Sequence, residues 1–92
     1  MRRAAKADEN QQDIVDELRQ LYYRVAITHR LGDGFPDIVV SDPATGRNYL
    51  FEIKMPDGEL TDDERKFWQS WPGDGGIIRC TEDAIKIMSK TR

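Results

Sequence analysis

Asp37, Glu52 and Lys54 form a set whose types and spacing could do chemistry on a charged substrate. Asp37 opens the apolar run Ile38-Val39-Val40. Glu52 and Lys54 fall in the stretch Asn48 to Lys54, where Tyr49, Phe51 and Ile53 alternate with Leu50, Glu52 and Lys54. The residues between the two runs, Ser41-Asp42-Pro43-Ala44-Thr45-Gly46-Arg47, are turn formers, so an antiparallel hairpin is expected. Such a hairpin sets Asp37 opposite Glu52 with Cβ atoms about 5 Å apart, on the face that also carries Lys54. Two bare carboxylates at that spacing repel by roughly 3 kcal/mol at an effective dielectric of about 20. Mg²⁺ offsets the repulsion, because it accepts one or two carboxylates together with waters and substrate phosphate oxygens. Such an ion polarises a phosphodiester and helps to generate the attacking hydroxide. Lys54 is suited to position or deprotonate that water, or to stabilise charge on the phosphorus oxygens.

The elements that must position this set can be read along the chain. Residues 1 to 8 are polar, with nothing apolar larger than alanine after Met1, and are expected to form a flexible segment ahead of a single domain over 9 to 92. A helix is expected from about Glu9 to near Tyr23, with Gln11, Ile14, Val15, Leu18, Leu21 and Tyr22 on one stripe. Arg24 to His29 reads as a strand, and Arg30 to Gly34 as a loop. Pro36 biases Phe35 toward extended geometry, so a second strand begins at about Asp37. Gly34 would let a backbone pass close to DNA or take a conformation barred to other residues. Thr61-Asp62-Asp63-Glu64 is a capping-box signature for a second helix that stops at Pro72-Gly73. Its inner stripe is Leu60, Glu64, Phe67, Trp68 and Trp71, and the aromatic residues are expected in the core of so small a domain. Gly75-Gly76 releases a fourth strand, Ile77 to Cys80, and Thr81 caps a short last helix bearing Ala84, Ile85 and Met88.

With these elements in order, Gly34-Phe35-Pro36-Asp37 followed by Glu52-Ile53-Lys54 resembles the PD-(D/E)XK nuclease superfamily. Within it, the stretch from about Gly58 to Met88 looks like VRR-NUC-type and phage-encoded nuclease domains, which are related in fold to Holliday-junction resolvases. The likeness covers nearly the whole chain from about Asn10. It implies an α/β, restriction-endonuclease-like α-β-β-β-α-β core with a four-stranded mixed sheet and a short C-terminal helix. It further implies a Mg²⁺-dependent DNA nuclease, an endonuclease selective for branched or junction DNA, with Mn²⁺ able to replace Mg²⁺. Asp37, Glu52 and the Ile53 carbonyl would be the metal ligands and Lys54 the catalytic lysine. Many members add a glutamate from the first helix; here spacing places Gln11, with Glu9 or Asp13 as substitutes under another register. Relatives often have glutamine where Glu64 stands.

Composition bounds the alternatives. In 92 residues one layered core is all the chain can build, and 38% apolar with 34% charged residues suits a folded globule. The net charge of −3 argues against coating nucleic acid by bulk electrostatics, so phosphate contacts must come from local patches. Arg2, Arg3 and Lys6, or Lys86, Lys90 and Arg92, are candidates. No membrane-length apolar run or export signal is visible, and the lone Cys80 looks buried in a strand, which fits a reducing cytoplasm. No organic cofactor is called for. His29 reads as a surface residue, since this chemistry does not require imidazole. So small a domain presents little surface to DNA, and pairing into a homodimer would double the footprint, with Tyr22 or Tyr23 available for the contact. The rival readings are an inactive DNA-binding module of the same fold and a non-enzymatic assembly protein.

Overall fold

The computed structural model describes residues 8–92. In order it holds helix α1 (Gln11–Gln20), strand β1 (Arg24–Ile27), a 3₁₀ turn (His29–Leu31) and strands β2 (Ile38–Ser41) and β3 (Asn48–Ile53). Helix α2 (Asp62–Ser70), strand β4 (Gly75–Ile78) and helix α3 (Thr81–Ser89) follow. The sheet runs β1-β2-β3-β4; the first two pairings are antiparallel, and β4 lies parallel to β3 after the crossover through α2. The chain is thus a mixed α/β fold with a four-stranded mixed sheet and three helices. Among the described residues no helix is long and apolar enough to cross a membrane. The expected flexible segment over 1 to 8 lies outside the described residues except for Asp8, whose carboxylate accepts from the Met55 amide at 3.1 Å.

One face of the sheet carries the core. Tyr49, Phe51 and Ile53 of β3 pack with Ile38 and Val40 of β2, Ile78 of β4, Ile14, Val15 and Leu18 of α1, and Ala84 and Met88 of α3. Strand alternation puts these side chains on one side, and helical spacing brings the matching stripes down onto them.

Four expectations need correction. The first helix stops at Gln20. The Tyr23 amide donates to the Leu18 carbonyl and the Tyr22 amide to that of Arg19, closing the helix with Tyr22 at φ +72°, a position glycine usually fills. Leu21 and Tyr22 therefore leave the inner stripe, and Tyr22 is 84% exposed while Tyr23 turns in. The first strand ends at Ile27 and lies at the sheet edge, where Ile27 is 43% exposed. Cys80 is exposed at the N-terminus of α3, because the pairing of β4 with β3 ends at Ile53↔Ile78, two residues earlier.

The aromatic residues of α2 are the fourth. That helix contributes no buried residue. Phe67 instead meets Phe35 at 5.6 Å, Trp68 at 5.3 Å and Trp71 at 5.4 Å between ring centres, a cluster outside the core. These rings pack on one another and stay half-buried or exposed, while the core closes on the sheet face that carries Tyr49, Phe51 and Ile53.

Of the basic residues considered for a phosphate patch, Arg92 is engaged elsewhere. Its Nε donates to Asp42, which is wholly buried in the β2–β3 turn, at 3.0 Å, and its guanidinium also reaches the Tyr23 hydroxyl at 2.9 Å. Lys86 on α3 and Lys90 just past its end remain exposed, and Arg2, Arg3 and Lys6 fall outside the described residues.

Candidate active site

The hairpin register pairs Ile38 with Phe51 through Ser41 with Asn48, as the sequence pattern requires. It slips at Asp37, whose amide donates to the Phe51 carbonyl at 3.0 Å. Asp37 is fixed from three sides there: its carbonyl accepts from the Thr28 amide at 2.7 Å, and its Oδ2 accepts from the Ile53 amide at 2.7 Å. Buried Pro36 precedes it, with the Thr28 hydroxyl donating to the Pro36 carbonyl at 2.8 Å.

Despite the slip, the Asp37 and Glu52 carboxyls lie within hydrogen-bonding reach of one another. Glu52 is 1% exposed, and its Oε1 has no hydrogen-bond partner. Burial, then the shared hydrogen bond and charge of Asp37, push its carboxyl up to about 10, and burial raises Asp37 as well. One proton shared between the buried Glu52 and half-buried Asp37 carboxyls is how such a pair avoids the repulsion of two charges.

Lys54 lies beside the pair, and its Nζ is 2.7 Å from Glu64 Oε1. Burial alone would depress its ammonium, but the hydrogen bond and charge of Glu64, with the charge of Glu52, hold it above its ordinary value. Glu64 is pushed up by burial and pulled down further by Lys54 and by the Thr61 amide, so it stays ionised. The same glutamate completes the capping box of α2: its carboxylate accepts from the Thr61 amide at 2.8 Å, and the Thr61 hydroxyl accepts from the Glu64 amide at 3.2 Å.

Gly34 explains how α2 comes so near. With φ +79°, it packs so tightly on the first turn of the helix that a Cβ would stand 2.5 Å from the Asp63 carbonyl oxygen. Of the two roles expected of Gly34, it takes the conformation barred to other residues, and its close contact here is with the protein's own helix.

The first turn of α1 crosses the same end of the sheet. Asn10 Nδ2 donates to the carbonyls of Lys54 and Arg79, both at 3.0 Å. Gln11 is 5% exposed, and its Nε2 sits 3.0 Å from His29 Nδ1, while its Oε1 has no partner. Glu9 and Asp13 are exposed, so Gln11 is the residue of this turn that faces inward. No hydrogen bond joins Gln11 to Asp37 or Glu52.

Sequence reasoning brought out the Thr61-x-x-Glu64 cap but not that its glutamate faces Lys54. It also set His29 on the surface, where the structure pairs it with Gln11. No local signal announces either contact, because each joins side chains of two different elements.

Among the described residues no group of three or more His, Cys, Asp or Glu side chains is arranged to hold a metal. The donors present, two carboxylates of which one carries a buried, unpaired oxygen, still fit a hard ion that takes its remaining ligands from water and substrate. A cavity of about 660 Å³ lined by Arg19, Tyr22, Arg24 and Ser41 touches none of these groups and lies toward the other end of β1 and β2. Comparison of the chain with protein-family profiles, curated proteins and solved structures finds no match.

Proposed function

We propose that the chain is a Mg²⁺-dependent DNA nuclease of the PD-(D/E)XK type, with a restriction-endonuclease-like fold related to VRR-NUC domains. The observation that carries this reading is the convergence of Asp37, Glu52 and Lys54 at one sheet end, with Glu52 buried and one of its oxygens unpaired. Asp37 and Glu52 would hold the ion, with the Ile53 peptide, already bonded to Asp37, next to them. When bound, Mg²⁺ supplies a Lewis acid for a phosphate oxygen and acidifies a water. Asp37 is kept in place by the Ile53 amide. The Lys54 ammonium, held by Glu64, offers a fixed positive charge to a phosphate at the same sheet end. The substrate is DNA, branched or junction forms included, cut internally, and two copies of so small a chain would share it.

Cleavage of branched, flapped, duplex and single-stranded DNA with and without Mg²⁺ tests the reading. Asp37→Asn, Glu52→Gln and Lys54→Ala should each abolish cleavage, and cleavage that survives all three in Mg²⁺ refutes it. A second reading, a DNA-binding module without turnover, is favoured by the ion pair that occupies Lys54 and by an amide at position 11. It requires binding that survives the three substitutions and no cleavage in Mg²⁺ or Mn²⁺.

A further inference from the structure

Three side chains at this end of the sheet hold buried oxygens that no donor reaches, Glu52 Oε1, Gln11 Oε1 and Asn10 Oδ1, the last on an amide whose nitrogen is anchored to the Lys54 and Arg79 carbonyls. A buried acceptor left unpaired is destabilising, and folded proteins keep few of them unless something bound supplies the partner. The rest of the Gln11 amide is fixed. Its Nε2 can only donate, so the His29 Nδ1 it meets at 3.0 Å must accept, which places the imidazole proton on Nε2. That bond turns the nitrogen of the amide to His29 and the oxygen away from it. The turn of α1 carrying Gln11 is itself tied to the candidate site, through Asn10 on the Lys54 carbonyl and Asp8 on the Met55 amide.

We propose that His29 is a positioning residue that locks the Gln11 amide with its oxygen toward the cation held by Asp37 and Glu52. The third protein donor is then a neutral oxygen. This rests on the metal of the nuclease reading. A third carboxylate beside two others would add like-charge repulsion, whereas an amide oxygen ligates a hard cation without it. An amide turned the other way would present two N–H donors, which repel the ion. His29 acts on the site through Gln11 alone, as the partners of metal ligands commonly do.

The test is Mn²⁺ binding by isothermal titration calorimetry to the intact chain, beside its metal-free melting temperature. His29→Ala and Gln11→Ala should each weaken Mn²⁺ about tenfold. His29→Asn, whose side-chain oxygen can accept near the place of Nδ1, should bind close to the unsubstituted protein. His29→Ala should weaken nothing further once Gln11 is alanine. Unchanged affinity in His29→Ala, or an equal loss in both backgrounds, overturns the proposal. Should His29→Ala not fold, the other two variants decide: the proposal needs Gln11→Ala to lose the ion and His29→Asn to keep it, and any other pairing overturns it. Asp37→Asn and Glu52→Gln separate the two levels of the argument. If they remove Mn²⁺ binding while the Gln11 and His29 variants do not, only the positioning role fails; if they leave it intact, the metal reading fails too.

Discussion

Glu52→Gln should make the metal-free protein more stable at neutral and alkaline pH while removing its response to Mg²⁺. The Glu52 carboxyl, ordinarily at 4.5, is pushed up to about 10 by burial and by Asp37. The fold therefore keeps a proton that the unfolded chain gives up. Its stability is fully present below about 4.5 and falls as pH rises from there toward 10. At pH near 7.5 the penalty is about three units at roughly 1.4 kcal/mol each, or about 4 kcal/mol. Glutamine has nearly the same shape and no proton to lose, but it gives up part of the hydrogen bond with Asp37, about 1 kcal/mol. The net gain is about 3 kcal/mol, which for a domain of this size raises the melting temperature by more than about 10 °C. Circular-dichroism melts in EDTA from pH 5 to 9 read it out. The unsubstituted protein should lose stability along the series, the variant should lose less, and the two should converge at the acid end. In Mg²⁺ the ion should stabilise the unsubstituted protein by mass action and leave the variant unmoved. A variant that melts at or below the unsubstituted protein at pH 8 in EDTA would refute the shared-proton argument.

Three further outcomes follow from other contacts. Gly34→Ala should lower the melting temperature by at least about 5 °C, because the left-handed backbone costs an alanine roughly 1–2 kcal/mol before its Cβ meets Asp63, and DNA cleavage should fall with it. Glu64→Gln keeps an acceptor for the Thr61 amide but removes the charge that holds Lys54 up, so the alkaline limb of the single-turnover cleavage rate should move to lower pH; an unmoved limb would detach Lys54 from that limb. Asp42 is held below its ordinary 3.8 by the hydrogen bond with Arg92, so its contribution is present above that value and lost as pH falls through the lower, folded one. Asp42→Asn should accordingly be less stable than the unsubstituted chain at pH 7, with the gap closing in an acid titration followed by circular dichroism.

Much of the fold is legible because local patterns and tertiary packing agree. The alternation from Asn48 to Ile53 names both the strand and its buried face, and the hairpin register follows from the turn between two such runs. The Thr61-x-x-Glu64 box marks the start of α2 because both of its bonds are local. What the sequence hides is where a helix closes and which side chains of different elements meet. Helical spacing carries Tyr22 onto the inner stripe, yet the closing bonds at Tyr22 and Tyr23 end the helix first. Large rings at helical spacing suggest a core, but Phe67 gathers Phe35, Trp68 and Trp71 into a separate cluster off it. In the candidate site, Asp37, Glu52 and Lys54 were readable as a set; the Glu64 and His29 contacts arise only when α2 and α1 close on the same sheet end.

Because α2 buries none of its residues, its lifetime on the sheet is set separately from that of the folded body. Its amides should exchange with solvent through small local openings, on a free-energy scale well below that of the amides of β3, which vanish only with global unfolding. The helix that brings a carboxylate to Lys54 can therefore breathe while the strands beneath it stay still. Its exposed residues are free to drift in evolution with little consequence for whether the chain folds.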